Sequence, residues 1–185
     1  MALIRRKVLE QETPALAMRA VYVTPKSASN NMMVSASTVA GQGVAVDFEC
    51  APDETFQVYP ERGLLAHANH FVSPVALVKL RDIGVASTPC SLYRDLRVRD
   101  LLLPQLGRVT AAHVKAALFD DFGTPFSVCR PLRMNDSGNH LASVAMIVME
   151  QAMGMMDIAM LPASNRCFSR ISLNNDAPAQ LLAAE

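Results

Sequence analysis

The run Leu141-Ala-Ser-Val-Ala-Met-Ile-Val148 constrains the fold more than any other stretch of this chain. Side chains along a strand alternate between two faces, and here both alternating sets are apolar. Such a strand must be covered on both sides, which calls for layers rather than one sheet open to water. Gln151-Ala-Met-Gly154 is then the hairpin turn and Met155–Leu161 the partner strand. Earlier in the chain the alternation is one-sided. Val44, Val46, Phe48 and Cys50 alternate with Ala45, Asp47 and Glu49, so one face is buried and the two carboxylates form a solvated or pocket-lining face. Ala51-Pro-Asp-Glu54 turns that strand into Phe56–Tyr59, and Pro60-Glu-Arg-Gly63 turns the next into a core strand over Leu64–His70.

Helices alternate with these strands. Ala2–Gln11 is a short amphipathic helix. Thr13-Pro14 signals a second, with Leu16, Ala20 and Val23 on one face and Pro25 as its stop. Ser27-Ala-Ser-Asn30 turns into a strand over Met32–Val39. Val72–Pro89 reads as a long irregular excursion, a pocket-rim loop rather than core. Leu92–Leu103 is a helix with Arg94, Arg97 and Arg99 exposed and Leu92, Leu96 and Leu103 inward, stopped by Pro104. Thr110 caps another, in which Val114, Ala117 and Leu118 meet at helical spacing. The class is therefore α+β, and 185 residues predict a single domain over 1–185.

Composition narrows the function classes. Hydrophobic residues make up 51% and charged residues 18%, which excludes disorder. Lys+Arg and Asp+Glu number 17 each, and with no basic stripe a nucleic-acid partner is not expected. So apolar and uncharged a chain favours self-association, as a homo-oligomer, or a partner over a lone monomer. The 11 Met suit an adaptable core. Cys50, Cys90, Cys129 and Cys167 are widely spaced, which predicts free buried thiols and a cytoplasmic location. Arg5, Arg6 and Lys7 have no apolar run behind them, so they do not start a signal peptide, and no window is long enough for a membrane span. Gly41-Gln-Gly43 is a turn rather than a phosphate loop. Ser27 and Ser29 lie in no Gly-x-Ser-x-Gly elbow.

The chemistry gathers in Leu64-Leu-Ala-His-Ala-Asn-His-Phe-Val-Ser-Pro74. At a strand's period of two, Leu65, His67, Asn69 and Phe71 share one face and Leu64, Ala66, Ala68 and His70 the other. An inward Asn69 offers a neutral N–H₂ donor of the kind that holds a developing oxyanion. Equally, Asn69 is a strand-end residue turning the chain before Ser73-Pro74. His67 and His70 point to opposite faces on this reading, so they share no ligand and no metal site is expected. His70 is then structural.

Glu49-Cys-Ala-Pro52 followed by Tyr59-Pro60-Glu61-x-Gly63-x-Leu65-x-His67-x-Asn69-His70-Phe71 resembles the C-terminal half of the acyl-coenzyme A:6-aminopenicillanate acyltransferase family, which belongs to the N-terminal-nucleophile hydrolases. Leu118-Phe-Asp120-Asp-x-x-x-Pro125-x-Ser127-Val128-Cys129-Arg130 is similar to that family's Leu-x-Asp-His-x-x-x-Pro-x-Ser-Ile-Cys-Arg-His block, and Leu141–Leu161 to its closing hairpin. Asp121 and Pro131 stand where the family pattern has His. The resemblance implies a four-layer αββα sandwich of antiparallel sheets, incomplete in this chain, which would be the post-nucleophile portion. It implies Asn69 and Arg130 as catalytic groups, with His67 and Phe71 contacting substrate. Arg130 has a structural alternative, a salt bridge to Asp120 or Asp121. The family's nucleophile is a Cys exposed by self-cleavage upstream of the matched region, and no Cys precedes Cys50 here. Cys129 is internal and reads as a packed thiol. The resemblance thus implies a pocket for an acyl-amide or acyl-thioester substrate, with a companion chain carrying the Cys and no cofactor. The alternative is a non-catalytic ligand-binding or oligomeric remnant.

Overall fold

Thr13 is extended, and its Oγ1 accepts the Leu16 N–H at 3.3 Å, so helix α2 (Pro14–Val23) starts where hydroxyl and proline predict. Thr24, the residue before Pro25, is again extended and ends it. These elements belong to a computed structural model that describes residues 2–38 and 40–173. The chain divides into two compact units, Met1–Ser37 with Gln42–Leu92, and Thr38–Gly41 with Tyr93–Glu185. Both are built of helices and small antiparallel sheets, the α+β class. No helix among the described residues is long and apolar enough to cross a membrane.

In the first unit, α1 (Ala2–Leu9) and α2 cover one face of a sheet ordered β1 (Asn30–Ser37), β2 (Gly43–Cys50), β3 (Thr55–Val58). The stripe of α2 that does so is Ala17, Ala20 and Val21, at i, i+3, i+4. The expected Leu16 and Val23 are 41% and 58% exposed. Opposite them the pairs Met32–Phe48 and Val34–Val46 stand side by side in the β1–β2 register. The predicted end of β1, Val39, lies outside the described residues.

Leu64–His70 is not a strand. After the single Glu61–Leu64 bridge the chain leaves the sheet and folds over its second face. The backbone amides here need other acceptors: the Asn69 N–H finds the Ser91 hydroxyl, and the three amides that follow the segment find carboxylates. The Val72 and Ser73 N–H groups donate to Glu49, and the Phe71 N–H donates to Asp82 Oδ2 at 3.0 Å. The region expected to be irregular then holds two short helices, α3 (Pro74–Lys79) and α4 (Gly84–Ser87).

Helix α5 (Ser91–Leu102) inverts its expected faces: Asp95 and Leu102 are buried, whereas Leu92, Leu96 and Leu103 are exposed. The charged groups turn inward because they have partners. Arg97 donates to Asp120 at 2.5 Å and lies over the Phe122 ring. Thr110 caps α6 (Ala111–Leu118) reciprocally with His113, and Ala117 is the buried residue of that helix.

The two-faced strand proves shorter and one-sided. Leu141 belongs to a two-residue pairing of β4 (Arg133–Met134) with β5 (His140–Leu141), and β6 (Ala145–Glu150) begins beyond it. In β6, Met146 and Val148 are buried while Ile147 and Met149 are 49% and 58% exposed. α6 lies against this strand, and Met146 packs with Cys129 and Ala159. Apolar side chains on the other face do not by themselves supply a cover. The hairpin holds as predicted, with Gly154 at φ 60° before β7 (Met155–Met160), and β8 (Ser169–Ser172) completes the sheet. Asp157 of β7 is buried between Arg170 at 2.8 Å and Lys115 at 2.6 Å. Arg170 first and Lys115 next, against the cost of burial, hold its carboxyl at about 2.

Candidate functional site

Period-two geometry puts Asp47 and Glu49 on the β2 face opposite Phe48 and Cys50, away from the helices. That face is covered by the 64–73 segment, so the two carboxylates are 0% and 1% exposed rather than solvated. Buried carboxylates need partners. Glu49 Oε1 accepts from His67 Nε2 at 2.7 Å and from the Val72 N–H at 2.5 Å, and Oε2 accepts the Ser73 N–H at 3.1 Å. Burial alone would raise the Glu49 pKa, but His67 and these two amides outweigh it and hold the carboxyl below its usual range.

His67 has an acceptor at each nitrogen, since Nδ1 lies 2.9 Å from the Ala68 carbonyl. A carbonyl only accepts, so Nδ1 donates, and the two amides on Glu49 favour its carboxylate form, which in turn favours a proton on Nε2. Burial disfavours the charge this gives the ring. The Glu49 bond, the Ala68 carbonyl and the charges of Asp47 and Glu49 overcome it and raise the His67 pKa. Asp47 Oδ2 stands 3.6 Å from His67 Nε2 and accepts from Asn31 Nδ2. For Asp47 burial wins over both, and its pKa is raised.

The clamped segment forms one wall of a cleft of about 390 Å³, lined by Asn30, Glu49, His67, Asn69, His70 and Phe71 and, at the mouth, by the exposed Arg81. Asn69 is itself exposed, and its backbone N–H donates to Ser91 Oγ at 2.7 Å. The same hydroxyl lies 2.9 Å from His70 Nδ1. The His67 and His70 rings stack with centroids 6.3 Å apart, both bordering the cleft. Their assignment to opposite strand faces fails because the segment is not a strand. Phe71, which also lines the cleft, meets Phe56 edge-on at 6.4 Å.

His67, Asn69 and Phe71 are thus brought together. Arg130 belongs to the second unit, where its peptide N–H donates to Ser143 Oγ at 2.9 Å and its carbonyl accepts the Ser143 N–H at 3.0 Å. Asp120, its suggested partner, binds Arg97. Cys129 is buried and burial pushes its thiol up, against the pull of Arg166, which is the condition of a packed thiol. Cys50 and Cys90 are also buried; Cys167 is exposed, against expectation. No group of three or more His, Cys, Asp or Glu among the described residues could hold a metal ion.

Sequence reasoning missed the roles of Glu49 and Ser91. Two carboxylates at i and i+2 on a strand with an apolar opposite face were a visible signal for the first. Nothing local marks Ser91, which is 21 residues from His70. No protein-family model matches the chain, and no curated protein matches it.

Proposed function

We propose that this chain supplies the oxyanion-stabilising pocket of an amide hydrolase or acyltransferase acting on acyl-amide or acyl-thioester substrates, with the nucleophile carried outside residues 1–185. The observation that carries this reading is Asn69: a neutral amide on the wall of the cleft, its backbone pinned by Ser91 and its neighbour His67 clamped by Glu49. An uncharged donor on a held backbone suits a carbonyl oxygen that gains negative charge in the transition state. A Cys thiolate supplied from a companion segment adds to the carbonyl carbon, and the C=O π pair moves onto oxygen, to which the Asn69 side-chain N–H₂ donates. Collapse of the adduct expels the amine or thiol, which takes the proton first removed from the Cys. The acyl thioester then passes to water or an amine. The four-layer αββα sandwich belongs to the same proposal. In its support, each unit carries a three-stranded antiparallel sheet with at least one helix packed on it.

The same cleft fits a second reading, a non-catalytic module that binds a small acyl ligand there, or an oligomeric remnant. Mass spectrometry and amidase assay of the natively purified protein separate the two. A co-purifying Cys-initiated chain, with acyl-amide turnover cut by about 10²–10³ in Asn69→Ala, supports the proposal. Turnover that Asn69→Ala leaves unchanged overturns it. Acyl-amide binding without turnover establishes the second reading.

A further inference from the structure

We infer that His70 is a second neutral hydrogen-bond donor of the cleft, presenting Nε2–H to the same acceptor oxygen as Asn69, and that Ser91 sets its tautomer. The inference rests on the proposed oxyanion-stabilising role of the cleft and adds a group to it.

Ser91 is 1% exposed, so its hydroxyl proton needs an acceptor within the protein. The Asn69 N–H, at 2.7 Å from Oγ, is a donor and cannot be that acceptor. His70 Nδ1, at 2.9 Å, is placed to accept. If instead Nδ1 carried a proton, Oγ would receive two N–H donors, and its own proton would have to find an acceptor elsewhere in a site closed to water. The arrangement that satisfies every group is Asn69 N–H to Oγ, then Oγ–H to His70 Nδ1. A ring accepting at Nδ1 and neutral carries its one proton at Nε2.

One hydroxyl thereby does two things. It fixes the backbone of Asn69 and orients the ring of the next residue as a donor. The two residues border one cleft, with the His67 ring stacked beside His70. Two neutral donors bordering one cleft suit a tetrahedral oxyanion better than a planar amide, because only the anion draws two donors strongly. His70 touches the ligand; Ser91 acts through it and is a positioning residue.

Two measurements on this chain test the inference. A long-range ¹H–¹⁵N spectrum reads which His70 nitrogen is protonated, and calorimetry reads the affinity for phenylphosphonate, a tetrahedral anion, with benzamide as the planar control. The parent should carry the proton on Nε2 and bind phenylphosphonate. His70→Phe, which keeps the ring stack but has no donor, should weaken that binding about 10- to 100-fold and change benzamide binding far less. Ser91→Ala should mix the tautomers and weaken phenylphosphonate binding in parallel, and Ser91→Thr should restore both. A proton on Nδ1 in the parent overturns the inference, as does a His70→Phe affinity within about twofold of the parent. If Asn69→Ala weakens binding and His70→Phe does not, the inference falls and the proposed function stands. If His70→Phe weakens it and Asn69→Ala does not, the Asn69 reading falls. A parent that does not bind phenylphosphonate overturns both.

Discussion

His67 Nε2 lies 2.7 Å from Glu49 Oε1, across 18 residues of sequence, with both side chains almost wholly out of water. A buried ion pair of this kind adds little net stability over a well-packed apolar pair, because each charge has given up its hydration. Its effect is on conformation. Glu49 collects the imidazolium and two backbone amides, so the segment that carries Asn69 and His70 has one arrangement over the sheet.

Removing one member should cost far more than the pair contributes. Glu49→Gln leaves the His67 charge beside a neutral amide and weakens the acceptor for the Val72 and Ser73 N–H groups. His67→Gln leaves Glu49 facing Asp47. Each should lower unfolding free energy by about 3–5 kcal/mol, read from urea midpoints with an unchanged slope. A loss below about 1 kcal/mol would show that the segment holds without the clamp.

Stability should fall on the alkaline side. The folded His67 pKa is raised, so its contribution is complete below about 6.5, the unfolded value, and is lost as pH rises through the folded one. Asp47, also raised, loses its contribution as pH rises from the acid range. Glu49 is lowered, so its share is present above about 4.5 and lost as pH falls through the folded value. Urea midpoints should therefore be higher near pH 6 than near pH 9. His67→Gln should flatten the alkaline limb; an unaltered limb would place the titrating group elsewhere.

A second acid-sensitive group lies in the other unit. Asp157, held at about 2 by Arg170 and Lys115, stabilises fully above about 3.8 and loses this as pH falls toward about 2. Asp157→Asn should cost about 1.5–3 kcal/mol at neutral pH and reduce the acid sensitivity of the hairpin amides in hydrogen exchange. An unchanged exchange profile would show that the two cations are dispensable.

Ser91→Ala and Asn69→Ala should differ in stability. Ser91→Ala orphans the Asn69 N–H and should cost about 1–3 kcal/mol. The exposed Asn69 side chain should cost within about 0.5 kcal/mol, leaving the fold intact for kinetics. Equal losses would mean that Asn69 is structural.

Among the thiols, Cys167 alone should react quickly with a disulfide reagent in the native state, because Cys50, Cys90 and Cys129 are buried. Rapid labelling of Cys129, protected by an acyl-amide ligand, would return it to candidacy as a nucleophile.

The chain's local signals are legible where a single residue satisfies a local demand. Thr13-Pro14 and Thr110 start helices because a hydroxyl reaches an N–H three residues on. Gly154 closes its hairpin because it accepts a left-handed backbone. The alternation through β2 places Asp47 and Glu49 on one face, and the polar cluster from His67 to His70 does border a cleft. What alternation does not contain is what lies over a face. Leu64–His70 alternates like a strand but is held through His67 by Glu49 and through the Asn69 N–H by Ser91 rather than by a ladder. Leu92 and Leu96 look inward by type, yet Asp95 and the Arg97–Asp120 pair take the buried side.

The sequence by itself determined the α+β class, most helix starts, the hairpin and the segment in which polar groups gather, since each depends on contacts a few residues apart. Only the tertiary structure decided that His67 and His70 border one cleft, that Glu49 is buried and ionised, and that Ser91 joins Asn69 to His70. Those facts depend on groups 18 to 24 residues apart meeting where water is excluded, and there the hydrogen-bond partner rather than the residue type sets charge, tautomer and direction.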